Sequence, residues 1–275
     1  MPTTSGSREK GLHPLQQNEP LISGRRSFGL LLASHGERRT DADNAGVVRL
    51  ARSLADKGVA AEIGFGFIKG SPPVDEAIGA LLSRDIVVYP LFLSDGYFTR
   101  VALPRLVEQA KQNDATRTIS ILPPLGLEPA LAGVIADEAV AACHSHTHLP
   151  AQTSIVLLAH GSKTDQASRM AAERLADCVR QRRCFYDTRI ALLEEAPLLA
   201  ATIEGMSGPI IVVGLFAGEG MHGVDDAKRL VAELKRDDVM LIGPVGTFAG
   251  IETVIVSAVT KHYRVDRKNV WKADK

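Results

Sequence analysis

The chain alternates short, nearly unbroken apolar runs with longer stretches in which apolar residues return every three or four positions. Runs such as FGLLLAS (residues 28–34) and SIVLLA (residues 154–159) are short and bounded by polar residues, which predicts strands buried on both faces. The stretches between them carry the helical period. In order, the pattern predicts strands over residues 28–34, 61–67, 86–91 and 117–122, and helices over 42–56, 74–82, 101–112 and 129–142. It then begins again, with strands over 154–159, 188–193, 210–215 and 239–242, and helices over 166–180, 198–206, 225–234 and 249–262. Alternation of this kind predicts an α/β fold with parallel sheets, here two of four strands each.

The second series repeats the first. LLASHG (31–36) and LLAHG (157–161) both end an apolar run in His-Gly, at an offset of about 125 residues. Pro72 and Pro197, VVYPLF and VVGLF, Gly96 and Gly220, and Arg105 and Arg229 recur in the same order at nearly that offset. PPLGLEPALAGVI and GPVGTFAGIETVI close the two series. The expected organisation is a unit over 27–143, a polar linker over 144–153, a second unit over 154–264 and a tail over 265–275. Residues 1–26 mix Ser, Gly, Gln, Pro and charges without period and read as a mobile leader. Ligands of open parallel sheets gather at the carboxyl ends of the strands. His35, His160 and the loops after Leu91 and Leu215 should therefore face one cleft between the units.

Composition removes several function classes. Hydrophobic residues make up 45% of the 275 residues, and 32 Lys and Arg balance 32 Asp and Glu. Without a basic excess there is little to displace counterions from a polyanion, so no nucleic-acid partner is expected. No apolar stretch approaches the roughly 20 residues of a membrane helix, and the first residues lack the apolar core of a secretory signal. The expectation is a cytoplasmic protein with no membrane partner. Cys143, Cys178 and Cys184 are odd in number and lack close ligand spacing, and read as reduced thiols.

The residues able to do chemistry stand at strand ends. His160 closes an apolar run and precedes Gly161, which lets the backbone turn and leaves the imidazole at the sheet's edge. His222 lies in GLFAGEGMHGVDD, a glycine-rich loop between an apolar run and a helix. Two imidazoles from neighbouring strand ends can share a borderline divalent ion. Glu194 ends RIALLE between them, where a carboxylate would offset metal charge or move protons; Glu195 is the adjacent candidate.

With LLAHGSK, LLEEAP and GLFAGEGMHGVDD in place, residues 28–262 resemble the class II tetrapyrrole chelatases, in particular the sirohydrochlorin cobalto- and ferrochelatases. The resemblance implies two duplicated chelatase-like domains, each a four-stranded parallel sheet flanked by helices, with a cleft between them. It implies His160, Glu194 and His222 as the metal-handling and catalytic set. It implies sirohydrochlorin or a related tetrapyrrole as substrate, Co²⁺ or Fe²⁺ as the metal inserted, no organic cofactor and no ATP. No GxxxxGK[ST] loop occurs in the chain. Ser162 and Met221, next to the two histidines, join the expected substrate contacts.

The first unit keeps His35 but carries Lys69 at the place of Glu194 and Phe98 at that of His222. Metal insertion is accordingly expected from the second unit. In the vacated site Lys69, with Arg100 and Arg105, is expected to pair with carboxylates of the macrocycle, and Tyr97 and Phe98 to stack on its face. His144, His146 and His148 alternate in HSHTH and could collect an ion loosely, although a solvated linker explains them as well. His13 and His262 read as surface residues. SHGE (34–37) resembles the opening of histidine phosphatases, but no arginine precedes His35 or His160. A non-catalytic tetrapyrrole or metal carrier on the same fold is the alternative function. The implied mechanism has the imidazoles replace water on the ion and accept ring protons while the lobes close over the ring. A monomer or homodimer is expected; the metal and the sirohaem or cobalamin route are left open.

Overall fold

A computed structural model describes residues 28–36, 44–218 and 222–273, with His222 and residues 264–273 described by backbone alone. The expected leader and Met221 lie outside the described residues. The first unit runs β1 (Phe28–Ser34), α1 (Ala45–Asp56), β2 (Glu62–Phe67), α2 (Val74–Ala80), β3 (Asp85–Pro90), α3 (Leu103–Asn113), β4 (Thr118–Ile121) and α4 (Leu131–Ser145). The second runs β5 (Ser154–Ala159), α5 (Ala167–Gln181), β6 (Thr188–Leu192), α6 (Leu199–Ile203), β7 (Ile210–Gly214), α7 (His222–Glu233), β8 (Val239–Ile242) and α8 (Ile251–Ala273).

Two four-stranded, all-parallel sheets result, ordered β2-β1-β3-β4 and β6-β5-β7-β8. The centre strands β1 and β5 are buried along nearly their whole length, which is why they read as unbroken apolar runs. The duplication extends to individual hydrogen bonds. Ile68 N donates to Ser34 O at 2.9 Å and Leu193 N to Ala159 O at 3.0 Å. Leu91 N donates to Ala33 O at 2.7 Å and Leu215 N to Leu158 O at 2.8 Å.

Several boundaries differ from the pattern. A single π-helical segment, Phe98–Ala102, precedes α3, so helical backbone begins at 98 rather than 101. Helix α7 begins at His222 rather than 225. Helix α8 runs to Ala273, through the stretch expected to be a tail, because no Gly or Pro interrupts residues 251–273. The expected linker is partly helical: His144 lies in the last turn of α4, and residues Pro150–Gln152 form a 3₁₀ turn.

The units are not independent lobes. Helix α4, last in the first unit, packs against β7 and α5 of the second, while α8 packs against β3 and α1 of the first. One continuous apolar core therefore joins Leu30, Leu32, Ile135, Leu157, Ile211 and Ile255 across both sheets. Two further cores lie on the outer faces, one on each sheet. Polar ties cross the same boundary: Lys57 pairs with Glu252, and Arg174 Nη2 donates to Gly126 O at 2.7 Å. The cleft between the two sheet edges is therefore framed by packing between the units.

A shared core should melt once. Ile255→Ala, at a wholly buried position, is expected to cost about 2–5 kcal/mol and to lower one cooperative calorimetric transition covering both units. Two transitions, with only the later one displaced, would contradict the shared core.

Candidate functional site

The carboxyl ends of β1, β3, β5 and β7 border a single cavity of about 750 Å³. The first unit contributes His35, Lys69, Tyr97 and Phe98; the second contributes His160, Ser162, Glu194 and Gly223. Apolar side chains, among them Leu91, Phe92, Leu215 and Phe216, complete the walls. Such a cavity suits a large, flat, mostly apolar ligand held by a few polar groups.

His160 follows β5 directly, and Gly161 takes φ 75°, the left-handed conformation that favours glycine. Gly36 repeats this at φ 71° after His35. Glu194 is not a strand terminus as expected: β6 ends at Leu192, and Glu194 lies in the turn beyond, where its N–H donates to His160 O at 3.1 Å. That bond brings the side chains together. His160 Nε2 and Glu194 Oε1 are 3.5 Å apart, and each side chain is about half exposed, 51% and 52%. Neither makes another side-chain hydrogen bond among the described residues, so both remain available to a ligand.

The neighbouring acid has a different task. Arg169 Nη2 donates to Glu195 Oε2 at 2.6 Å and also to Ala196 O, while Ser162 N donates to Glu195 Oε1 at 3.1 Å. The Arg169 guanidinium, with help from the Ser162 amide, holds the Glu195 carboxyl below its ordinary pKa. Glu195 therefore braces the His160 turn, and Glu194 is the carboxylate left to the cavity. This brace was not legible, because Arg169 lies on α5, well separated from LLEEAP in sequence.

Of His222 the backbone position is described, at the start of α7. Gly223 beside it lines the cavity and fits so closely that a Cβ there would come within 2.7 Å of the Phe216 ring. The first unit provides a counterpart. Phe98 opens its helical segment as His222 opens α7, and its ring meets His35 edge-on with centroids 4.5 Å apart. Lys69 N donates to His35 O at 2.7 Å, the same bond Glu194 makes with His160, and Lys69 Nζ lies 5.3 Å from the Phe98 centroid. Tyr97 is 57% exposed at the cavity rim and stands edge-on to Phe98 at 5.5 Å.

Other expected residues fall elsewhere. Arg100 does not line the cavity; its Nε donates to Asp95 at 3.0 Å. Arg105 is exposed on α3, also away from the cavity lining. The Ser162 hydroxyl accepts from Thr164 N and Asp165 N at 3.3 and 3.2 Å, capping its own loop. Thr164 and Asp165 line the cavity and were not anticipated; their place in the loop after His160 was the available signal. In the linker, His146 Nδ1 is bonded to Ala142 O at 3.1 Å, and His146 and His148 stack at 6.4 Å. Among the described residues no three His, Cys, Asp or Glu side chains form a metal-holding group, the linker histidines included. No helix of the described residues is long and apolar enough to cross a membrane.

Comparison with known proteins agrees with this architecture. The CbiX family model matches residues 29–142 and again 154–262. A protein of Halobacterium salinarum named "Probable sirohydrochlorin cobaltochelatase" is 22% identical over 217 residues, covering 72% of this chain and 74% of that protein. SirB from Bacillus subtilis, solved with Fe³⁺, superposes with a TM-score of 0.72 at 14% identity, over 86% of this chain and 95% of SirB. A Deinococcus radiodurans protein described as similar to chelatases, with two additional domains, gives a TM-score of 0.72 at 21% identity. The match covers 86% of this chain but 55% of the Deinococcus protein.

The Glu195 brace carries a pH signature. A carboxyl whose folded pKa is depressed stabilises the fold above its unfolded pKa and loses that contribution as pH falls through the depressed value. Glu195→Gln should therefore lower Tm at neutral pH, with the gap to the parent closing on acidification; a gap that persists in acid would reject the brace.

Proposed function

The chain belongs to the CbiX family, and from that premise we propose that it inserts a divalent metal, Co²⁺ or Fe²⁺, into sirohydrochlorin or a related tetrapyrrole without ATP. The product would serve sirohaem or cobalamin formation. The observation that carries the proposal is the His160–Glu194 pair, 3.5 Å apart and open to an apolar cavity walled by both units. The names of the Halobacterium relative and of SirB solved with cobalt and with Fe³⁺ support the substrate and the metal class.

Insertion requires the ion to shed water, two ring N–H protons to leave, and the ring lone pairs to face the metal. His160 supplies a neutral nitrogen at the cavity wall that replaces a water ligand and then accepts a proton. His222 is the second nitrogen in this reading: its backbone opens α7 next to cavity-lining Gly223. Glu194 offsets the charge of the incoming ion and, being half exposed, passes protons to water. Leu91, Phe92, Leu215 and Phe216 receive the apolar ring and keep water from it. The cleft acts preformed, since the shared core opposes lobe closure.

Purified protein with sirohydrochlorin and Co²⁺ or Fe²⁺ should shift the absorption of the macrocycle as metal enters. His160→Ala, Glu194→Gln and His222→Ala should each slow this by about 100-fold or more. A parent protein that binds the macrocycle without a metal-dependent change would indicate the carrier alternative, and full activity in all three variants would reject the site.

A further inference from the structure

The first unit's copy of the metal site has reversed its charge. Lys69 takes the place of Glu194, as the matching bonds from Lys69 N to His35 O and from Glu194 N to His160 O establish. Among the described residues lining the cavity, Lys69 is the one Lys or Arg; the acids there, Asp165 and Glu194, both come from the second unit. Lys69 makes no ion pair among the described residues. Its ammonium rests 5.3 Å from the Phe98 centroid, and Phe98 is in turn held edge-on by His35. An aromatic face steadies an ammonium but leaves its N–H donors free to meet an oxygen acceptor.

A sirohydrochlorin-type macrocycle carries carboxylate arms around its rim. Resting on the chelatase reading, we infer that Lys69 binds one of these rim carboxylates and so fixes which face of the ring is turned toward His160 and Glu194. A cation here also repels a divalent ion, which confines the metal to the second unit's wall. Arg100 pairs with Asp95 and does not line the cavity. The converted site is thus a carboxylate receptor made from a metal site by two replacements, Lys for Glu and Phe for His.

The test titrates metal-free sirohydrochlorin into the full chain and reads its Kd from absorption. Lys69→Met should raise Kd about tenfold, the loss of one charge-assisted contact, and Lys69→Arg should restore most of it. Titrated with the same macrocycle whose rim carboxylates are amidated, parent and Lys69→Met should bind alike. Co²⁺ affinity without macrocycle should not fall, since only a repulsive charge is removed, and Tm should not move. A Kd for Lys69→Met within twofold of the parent, or an equal loss with the amide, overturns the inference. The two readings fail separately: a parent that inserts metal with Kd unmoved by Lys69→Met sinks the carboxylate contact alone. A parent that binds but never inserts, with Kd still dependent on Lys69, sinks the chelatase reading alone.

Discussion

Everything at the site depends on two carboxyl sheet edges being held against each other. A single four-stranded parallel sheet offers its strand ends to open solvent, where a large flat ligand would meet one wall. Here the last helix of each unit reaches the other unit's sheet, α4 on β7 and α8 on β3, and their buried faces merge into one core. Close-packed interiors transmit small displacements poorly as bending and readily as strain. The frame of the cavity thus rests on core side chains such as Ile135 and Ile255, neither of which lines it.

On that frame, two adjacent carboxylates are given different environments. Glu195 is bound by a guanidinium and a backbone amide, which fixes its charge and uses its oxygens. Glu194, one residue earlier, is tied by its backbone to the His160 carbonyl and leaves its side chain in the cavity. The division follows from partners rather than identity: Arg169 and the Ser162 amide reach Glu195, and neither bonds to Glu194. A carboxylate that must receive and release charge cannot also be the one locked to Arg169.

Much of this was legible in the chain. Centre strands announce themselves because both faces are buried, and the His-Gly endings mark where backbone turns at the sheet edge. The pairing of Lys69 with Glu194 followed from the repeat offset, and the structure repeats the hydrogen bond that makes them equivalent. Helix starts were read late at 98 and 222: the residue before Phe98 is Tyr97, which makes no side-chain cap, and the residue before His222 is Met221, so neither start is marked by a Ser, Thr, Asp or Asn at the cap position. The shared core was missed for a different reason. Periodicity states that a helix buries a face but not against which sheet. Helix α4 did hold a signal: LAGVIADEAVAAC is small and apolar nearly all round, as a helix packed between two layers must be. Arg100 and Arg105 were placed at the cavity because they stand near the loop after Leu91, and nearness in sequence does not say which way a side chain is carried; neither lines the cavity.

The inequality of the two walls has its own logic on the chelatase reading. A cavity with true twofold symmetry would present two equal metal sites to the two faces of one ring. Only one ion can enter the four ring nitrogens, so the second site would compete for metal and leave the ring's orientation undetermined. Replacing one acid by Lys69 removes both problems at once, because the cation repels the ion and attracts the rim. The apolar partner Phe98 then takes the place of a ligand no longer needed and meets the retained His35 edge-on. On that reading, duplication supplied two walls from one folding solution, and divergence at two positions, with the backbone bonds unchanged, would separate the work of holding the ring from that of handling the metal.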